Sequence, residues 1–389
     1  MSSLQKVCSQ PSWRIGNRQV EAFITELGGH LGPVTFRCGG RKAQPLAVAP
    51  WHAERFPALP PVLRVLRGDF FCLPFGGNDT AFRGERHPPH GETANSRWRC
   101  MAEEPDHLHL RLQTRCRPGQ VDKHVWVRRG HTAIYQRHVV SGMSGPMDFG
   151  HHATLHFPDA EGSGLISTSP FAWGEVSPLA LEDPRQRGYS RLQPGGVFHS
   201  LRKVPAADGK WCDLSAYPAR RGYEDLVMLV GAARRRFAWT AVSFPAQGFA
   251  WFALKDPRVL TNTVLWHSNG GRHYPPWNGR HLNVLGLEEV TSYFHYGLAE
   301  SARPNPISAQ GGVTCRTLSR KTPLVVNYIM AVVPIPRGFD AVAGIQPLPG
   351  GRGVRLVSHR GRKTECPLAL SFLTAGCPGL SSSPDEFPS

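Results

Sequence analysis

Glycine and proline punctuate this chain so evenly that long helices are excluded from the outset. Its 389 residues include 41 glycines and 35 prolines, scattered over the whole length. Each proline removes a backbone donor and obstructs a helix interior, and each glycine favours turns over regular elements. No stretch keeps a 3.6-residue apolar period for more than about three turns. What remains is a succession of short strands and turns, the profile of an all-β sandwich or barrel. The hydrophobic share of 40% and the charged share of 19% are those of a chain with a substantial core.

Individual runs fit this profile. Residues 20–40 predict two strands joined by a tight turn at Gly28-Gly29. Strand-like runs follow at 107–116, 123–140, 237–254 and 281–298, and the second and third break at Arg129-Gly130 and at 245–248, as hairpins do. Residues 353–373 read as a closing hairpin. The Pro-, Gly- and Ser-rich stretch 157–222 is expected to form long loops over a sheet edge, with a role as a lid. A single domain over 1–375 and a disordered tail over 376–389 are the expected organisation.

The formal charge is +16, yet the basic residues stand singly or in short clusters such as Arg234-Arg235-Arg236. No nucleic-acid-binding motif accompanies them, so a basic surface is expected and not a nucleic-acid partner. The N-terminus lacks the apolar core of a secretory signal, and the apolar run at 324–336 is too short to span a bilayer. Nine cysteines without a CxxC pair read as reduced thiols. These features predict a cytoplasmic protein without a membrane partner, and leave its oligomeric state open.

Three short segments concentrate the residues that could do chemistry. The first is His87-Pro88-Pro89-His90-Gly91-Glu92, a rigid loop in which glycine lets the backbone approach a ligand beside His90. Trp98 follows, offering a face on which a sugar ring could stack, and Asn78 lies in a glycine loop upstream. The second is the strand 149–157, where alternation sends His152, Thr154 and His156 to one face and His151 to the other. The third is Leu285-Gly286-Leu287-Glu288-Glu289. Alternation points its two acids to opposite faces, one to a cleft and one to solvent. Trp266 and Arg272 lie just upstream. The histidines invite a metal reading, but neither HExxH nor a cysteine at ligand spacing is present, and no metal is expected. Solvated surface histidines and acids are the plain alternative for each segment taken alone.

Taken in order, the segments resemble the aldose 1-epimerase (galactose mutarotase) superfamily. VEAFITELGGHLGPVTF is similar to that superfamily's opening hairpin, HPPHGETANSRW to its histidine-glycine loop, GHHATLHF to its second-histidine strand, and LGLEEV to its glutamate strand. The resemblance spans most of residues 20–335. It implies a β-supersandwich of large antiparallel sheets with a sugar cleft on a concave face. It also implies that His90 binds sugar hydroxyls, His152 is the general acid and Glu288 the general base, without cofactor. The choice between His151 and His152 stays open by one position. The superfamily's asparagine–arginine pair has no clean counterpart, and Asn78 and Arg83 stand nearest. The implied activity is interconversion of sugar anomers by acid–base ring opening. Two alternatives remain: a non-catalytic sugar-binding protein, or an epimerase for a phosphorylated or acidic sugar held by Arg83, Arg86, Arg97 or Arg272.

Overall fold

The computed structural model describes residues 4–219, 221–232 and 236–376. The tail expected over 376–389 lies outside them from 377 onward. Two large antiparallel sheets form the body, and the strands that position the cleft belong to the smaller one. In chain order the labelled elements are strand β1 (Val20–Thr25), β2 (Leu31–Cys38), helix α1 (Pro61–Val65), β3 (Phe71–Cys72), β4 (Phe149–His156), β5 (Tyr223–Gly231), β6 (Asn262–Asn269) and β7 (Val284–Thr291).

The seven-stranded sheet runs Val197–Phe198, Phe171–Val176, β5, β6, β7, β4, β3. The nine-stranded sheet runs from Ala216–Tyr217 at one edge, through the long central strand Leu324–Pro334, to Arg99–Glu103 at the other. Strand alternation fills the space between them. Leu285 and Leu287 of β7, Val227 and Leu229 of β5, and Val326 and Tyr328 of the opposing sheet share one buried cluster. The outer face of the larger sheet carries a second core, in which Tyr135, Phe252 and Ile329 meet Val354, Leu356 and Phe372. Most β-rich cores expose one face of each sheet; here both faces of the central strands are covered, which explains their near-continuous apolar sequences.

The hairpin expected near residue 20 is present as β1 and β2, and the runs at 123–140 and 237–254 break into strands where glycine or proline interrupts them. The apolar run at 324–336 is a buried strand, and no helix among the described residues is long and apolar enough to cross a membrane. Two expectations need correction. Residues 157–222 are not simply loops, because Gly164–Thr168 and Phe171–Val176 pair into the two large sheets. The closing hairpin ends at Pro367, beyond which Leu370–Thr374 winds into a 3₁₀ turn that buries Phe372.

Candidate functional site

β4 and β7 lie side by side with His152 directly opposite Glu288. Both side chains leave the same face of the sheet, and Glu288 Oε1 stands 3.3 Å from His152 Nε2. Gly286 makes room for this arrangement, since a Cβ there would collide with the Glu288 carboxyl. The histidine ring lies flat on Phe70 at a centroid distance of 4.5 Å, and His90 and Trp266 meet it edge-on. Its orientation is therefore set by packing. His152 Nδ1 faces Thr154 Oγ1 at 3.3 Å, and that hydroxyl donates to the His152 carbonyl. The hydroxyl is thus left to accept from Nδ1–H, which leaves Nε2 as a lone pair turned towards Glu288.

His90 comes from the loop predicted to be rigid. Its own φ is 59° and that of Gly91 is 75°, and a side chain at 91 would run into the Leu73 carbonyl. Glycine is required here on both counts. Cys72 Sγ and the Gly76 N–H both lie 3.4 Å from His90 Nδ1. Because the amide can only donate, Nδ1 is the acceptor and Nε2 carries the proton. Burial, followed by the neighbouring His152 and His295, holds His90 well below its ordinary pKa, so it is a neutral donor.

Trp266, Trp277 and Arg272 line the same cleft, as do Leu63 of α1 and Leu181 from the segment 157–222. The Trp266 indole donates to Glu224 Oε2 at 3.0 Å, and the Arg272 guanidinium lies 4.6 Å from the Trp277 ring centroid. Arg272 is neutralised by Glu182, which also accepts from Tyr274 at 3.1 Å. Glu182 thereby ties the Leu181 loop down over the cleft. Its replacement by glutamine should weaken binding of a cleft ligand several-fold, measured by titration. The cleft is narrow, about 100 Å³, and lined largely by apolar side chains.

The cleft gathers five of the residues singled out from sequence: His90, His152, Glu288, Trp266 and Arg272. Four others lie elsewhere. Trp98 is buried in the inter-sheet core with its indole donating to the Thr93 carbonyl, so it offers no face to a ligand. His151 points between the sheets, where Asp69 Oδ2 lies 2.9 Å away and Tyr328 stacks on the ring at 4.2 Å. That placement follows from strand alternation and settles which neighbour faces the cleft. Asn78 spends its side chain on the backbone of Gly76, Pro88 and Leu298, and so shapes the His90 loop without touching the cleft. Arg83 is exposed beside Phe82. A further correction concerns Glu289, which is not solvated: it is buried against Lys255, Thr240 and Thr263. Among the described residues, no group of three or more His, Cys, Asp or Glu side chains is placed to hold a metal ion.

Burial dominates the electrostatics of the pair. It depresses His152 to about 3 and raises Glu288 well above the ordinary carboxyl range. The resting pair is neutral, with its one proton on Glu288. Between the ordinary values of 4.5 and 6.5 the unfolded pair also holds one proton, on histidine, so stability has no slope from this source. Below that window the unfolded pair takes a second proton that the folded pair refuses, and stability falls. Above it the unfolded pair loses its proton while Glu288 keeps its own, and stability falls again. Thermal melts from about pH 5 to 9 should show this alkaline decline in the native chain and lose part of it in Glu288→Gln. Identical declines in the two proteins would contradict a protonated Glu288.

No protein-family model and no curated protein matches the sequence. Solved structures match its fold. A candidate aldose 1-epimerase from Escherichia coli K12 superposes with a TM-score of 0.56 at 14% identity, covering 83% of this chain and 99% of its own. The chain has the galactose mutarotase-like fold. A galactose mutarotase related enzyme from Lactobacillus acidophilus shares this fold with a TM-score of 0.53 at 11% identity, covering 82% of this chain and 97% of its own. A galactose mutarotase-like protein from Lactobacillus casei matches with the same score and identity, covering 82% and 99%. At these identities the likeness concerns the galactose mutarotase-like fold and not the chemistry.

Proposed function

We propose that the chain binds a neutral sugar in this cleft and interconverts its anomers by acid–base ring opening. The observation that carries the reading is the 3.3 Å approach of Glu288 to His152 on adjacent strands, in the same cleft as His90 and Trp266. The hydroxyl oxygen and the ring oxygen of a cyclic aldose are both bonded to C1. An acid and a base serving them must therefore be close neighbours, and this pair is.

The neutral resting state sets the direction of proton flow. His152 Nε2 takes the proton of the anomeric hydroxyl as Glu288 gives its proton to the ring oxygen. The bond from C1 to the ring oxygen breaks, and the hydroxyl oxygen becomes the aldehyde oxygen. After rotation about C1–C2, the ring oxygen attacks the other face, returns its proton to Glu288, and the imidazolium reprotonates the aldehyde oxygen. No net proton is consumed. These roles are the reverse of those implied by the sequence resemblance, because burial places the resting proton on the carboxyl. His90 Nε2–H is free to donate to a sugar hydroxyl, and Trp266 and Trp277 supply aromatic faces.

A glycoside hydrolase would need two carboxyl groups flanking the bond, and Glu288 is the one acid in the cleft lining. An anionic sugar finds little to hold it, since Arg272 is already balanced by Glu182 and the lining includes none of Arg83, Arg86 and Arg97. Saturation-transfer NMR on glucose and galactose tests the proposal. Exchange above the uncatalysed rate is expected for at least one. Binding without exchange would leave a sugar-binding protein in its place.

A further inference from the structure

Behind the cleft, strand alternation turns polar side chains of β5 and β6 to the other face of the seven-stranded sheet, at one end of its apolar core. Leu226 of β5 pairs with Trp266 of β6, and both enter the cleft. Their neighbours Asp225 and His267, also opposite one another, leave the other face into a separate pocket of about 290 Å³.

The floor of this pocket is unusual for a protein interior. His267 is only 6% exposed, yet neither ring nitrogen has a hydrogen-bond partner. Such a group ordinarily finds one, so an unpartnered imidazole in the wall of a cavity points to a ligand. Asp225 uses Oδ1 to accept from the backbone N–H groups of Arg191 and Leu192. Its second oxygen has no comparable backbone donor. At the rim stands Trp211, 56% exposed, with Lys203 Nζ 4.6 Å from the centre of its ring. An indole beside a polar cavity offers an apolar surface to a ring-shaped ligand.

From this juxtaposition we infer that the pocket is a second binding site, for a single neutral sugar ring. The ring's apolar face would lie on Trp211, and its hydroxyls would pair with the His267 nitrogens and the Asp225 carboxyl. A neutral imidazole supplies one donor and one acceptor, which matches a hydroxyl pair and gives no preference to a charged ligand. The site is distinct from the cleft, being on the opposite side of the same strands, and it does not depend on anomer exchange.

Methyl α-glucopyranoside and methyl α-galactopyranoside are suitable probes, because a locked anomeric centre cannot react in the cleft. Titrations followed by NMR are expected to show millimolar binding of at least one. Trp211→Ala should weaken it about tenfold or more, and His267→Leu should do likewise. Trp211 is exposed, so its variant should retain the native melting temperature and the native exchange rate. The glycosides also fit the proposed cleft, so the Trp211-dependent part of the binding is what is read, and it should persist in Glu288→Gln and Trp266→Ala. Failure of both glycosides to bind would overturn the inference. So would binding that survives Trp211→Ala but is lost in Trp266→Ala, which would place it in the cleft.

Discussion

Replacing Glu288 with glutamine should lower anomer exchange by about 10²–10⁴-fold, the usual worth of a positioned general acid or base, while leaving the melting temperature near pH 6 unchanged or higher. The two outcomes have one cause. Glutamine has nearly the shape of a protonated glutamic acid, and burial keeps Glu288 protonated. The substitution therefore preserves volume beside Gly286 and Trp266 and removes only the ability to give and regain a proton. A buried ionisable group with no dedicated cationic partner is a burden on folding, so relieving it carries no stability cost. NMR exchange rates and thermal melts on the same samples check both halves. Unchanged exchange would dismiss Glu288 from the chemistry. A large loss of stability would show that its role is structural.

Much of this site could be read from sequence because it rests on strand alternation. Period two is enough to separate His152 from His151 and Glu288 from Glu289, and glycine beside His90 is enough to suggest a close backbone approach. Depth of burial is what alternation cannot supply. Trp98 was expected to offer a face to a sugar and lies in the core, because whether an aromatic next to a loop is covered depends on Gly29, from a distant part of the chain. Glu289 was expected in water for the same reason: Lys255, its partner, is on a different strand of the opposing sheet. Phe70, Trp277 and His295 were missed altogether, and Leu181 was covered only by the lid expected of 157–222. Each reaches the cleft through chain reversals that leave no local trace, although Trp277, in Tyr274-Pro275-Pro276-Trp277, carried an aromatic-proline signal close to Arg272.

The fold itself was legible for a different reason. Evenly spaced glycine and proline exclude long helices over the whole length, and the ordered segments then select one sandwich among many. What composition could not show is that 157–222 contributes strands to both sheets. Its short elements pair at the edges, where two or three residues suffice and alternation has too little length to register.

Lys255→Met should destabilise the chain by about 3–5 kcal/mol, the usual cost of removing one partner of a buried ion pair. Lys255 and Glu289 are 4% and 1% exposed and in direct contact. The ammonium also donates to the Asn262 carbonyl at 2.6 Å and to Thr263 Oγ1 at 3.0 Å. Without it the Glu289 carboxylate keeps its two threonine donors, at 2.9 and 2.7 Å, but has no counter-charge. Lys255→Met combined with Glu289→Leu removes both charges and should recover much of the loss, since apolar replacements of a whole pair are often neutral. Urea denaturation of the native chain, both single variants and the double variant measures the coupling directly. An additive double variant would mean that the two side chains do not depend on each other. Strong coupling would set the neighbours apart in kind: Glu289 has its counter-ion built into the core, while Glu288 faces a cleft whose only basic groups are neutral histidines and an arginine already engaged, the condition under which a carboxyl keeps a proton it can deliver.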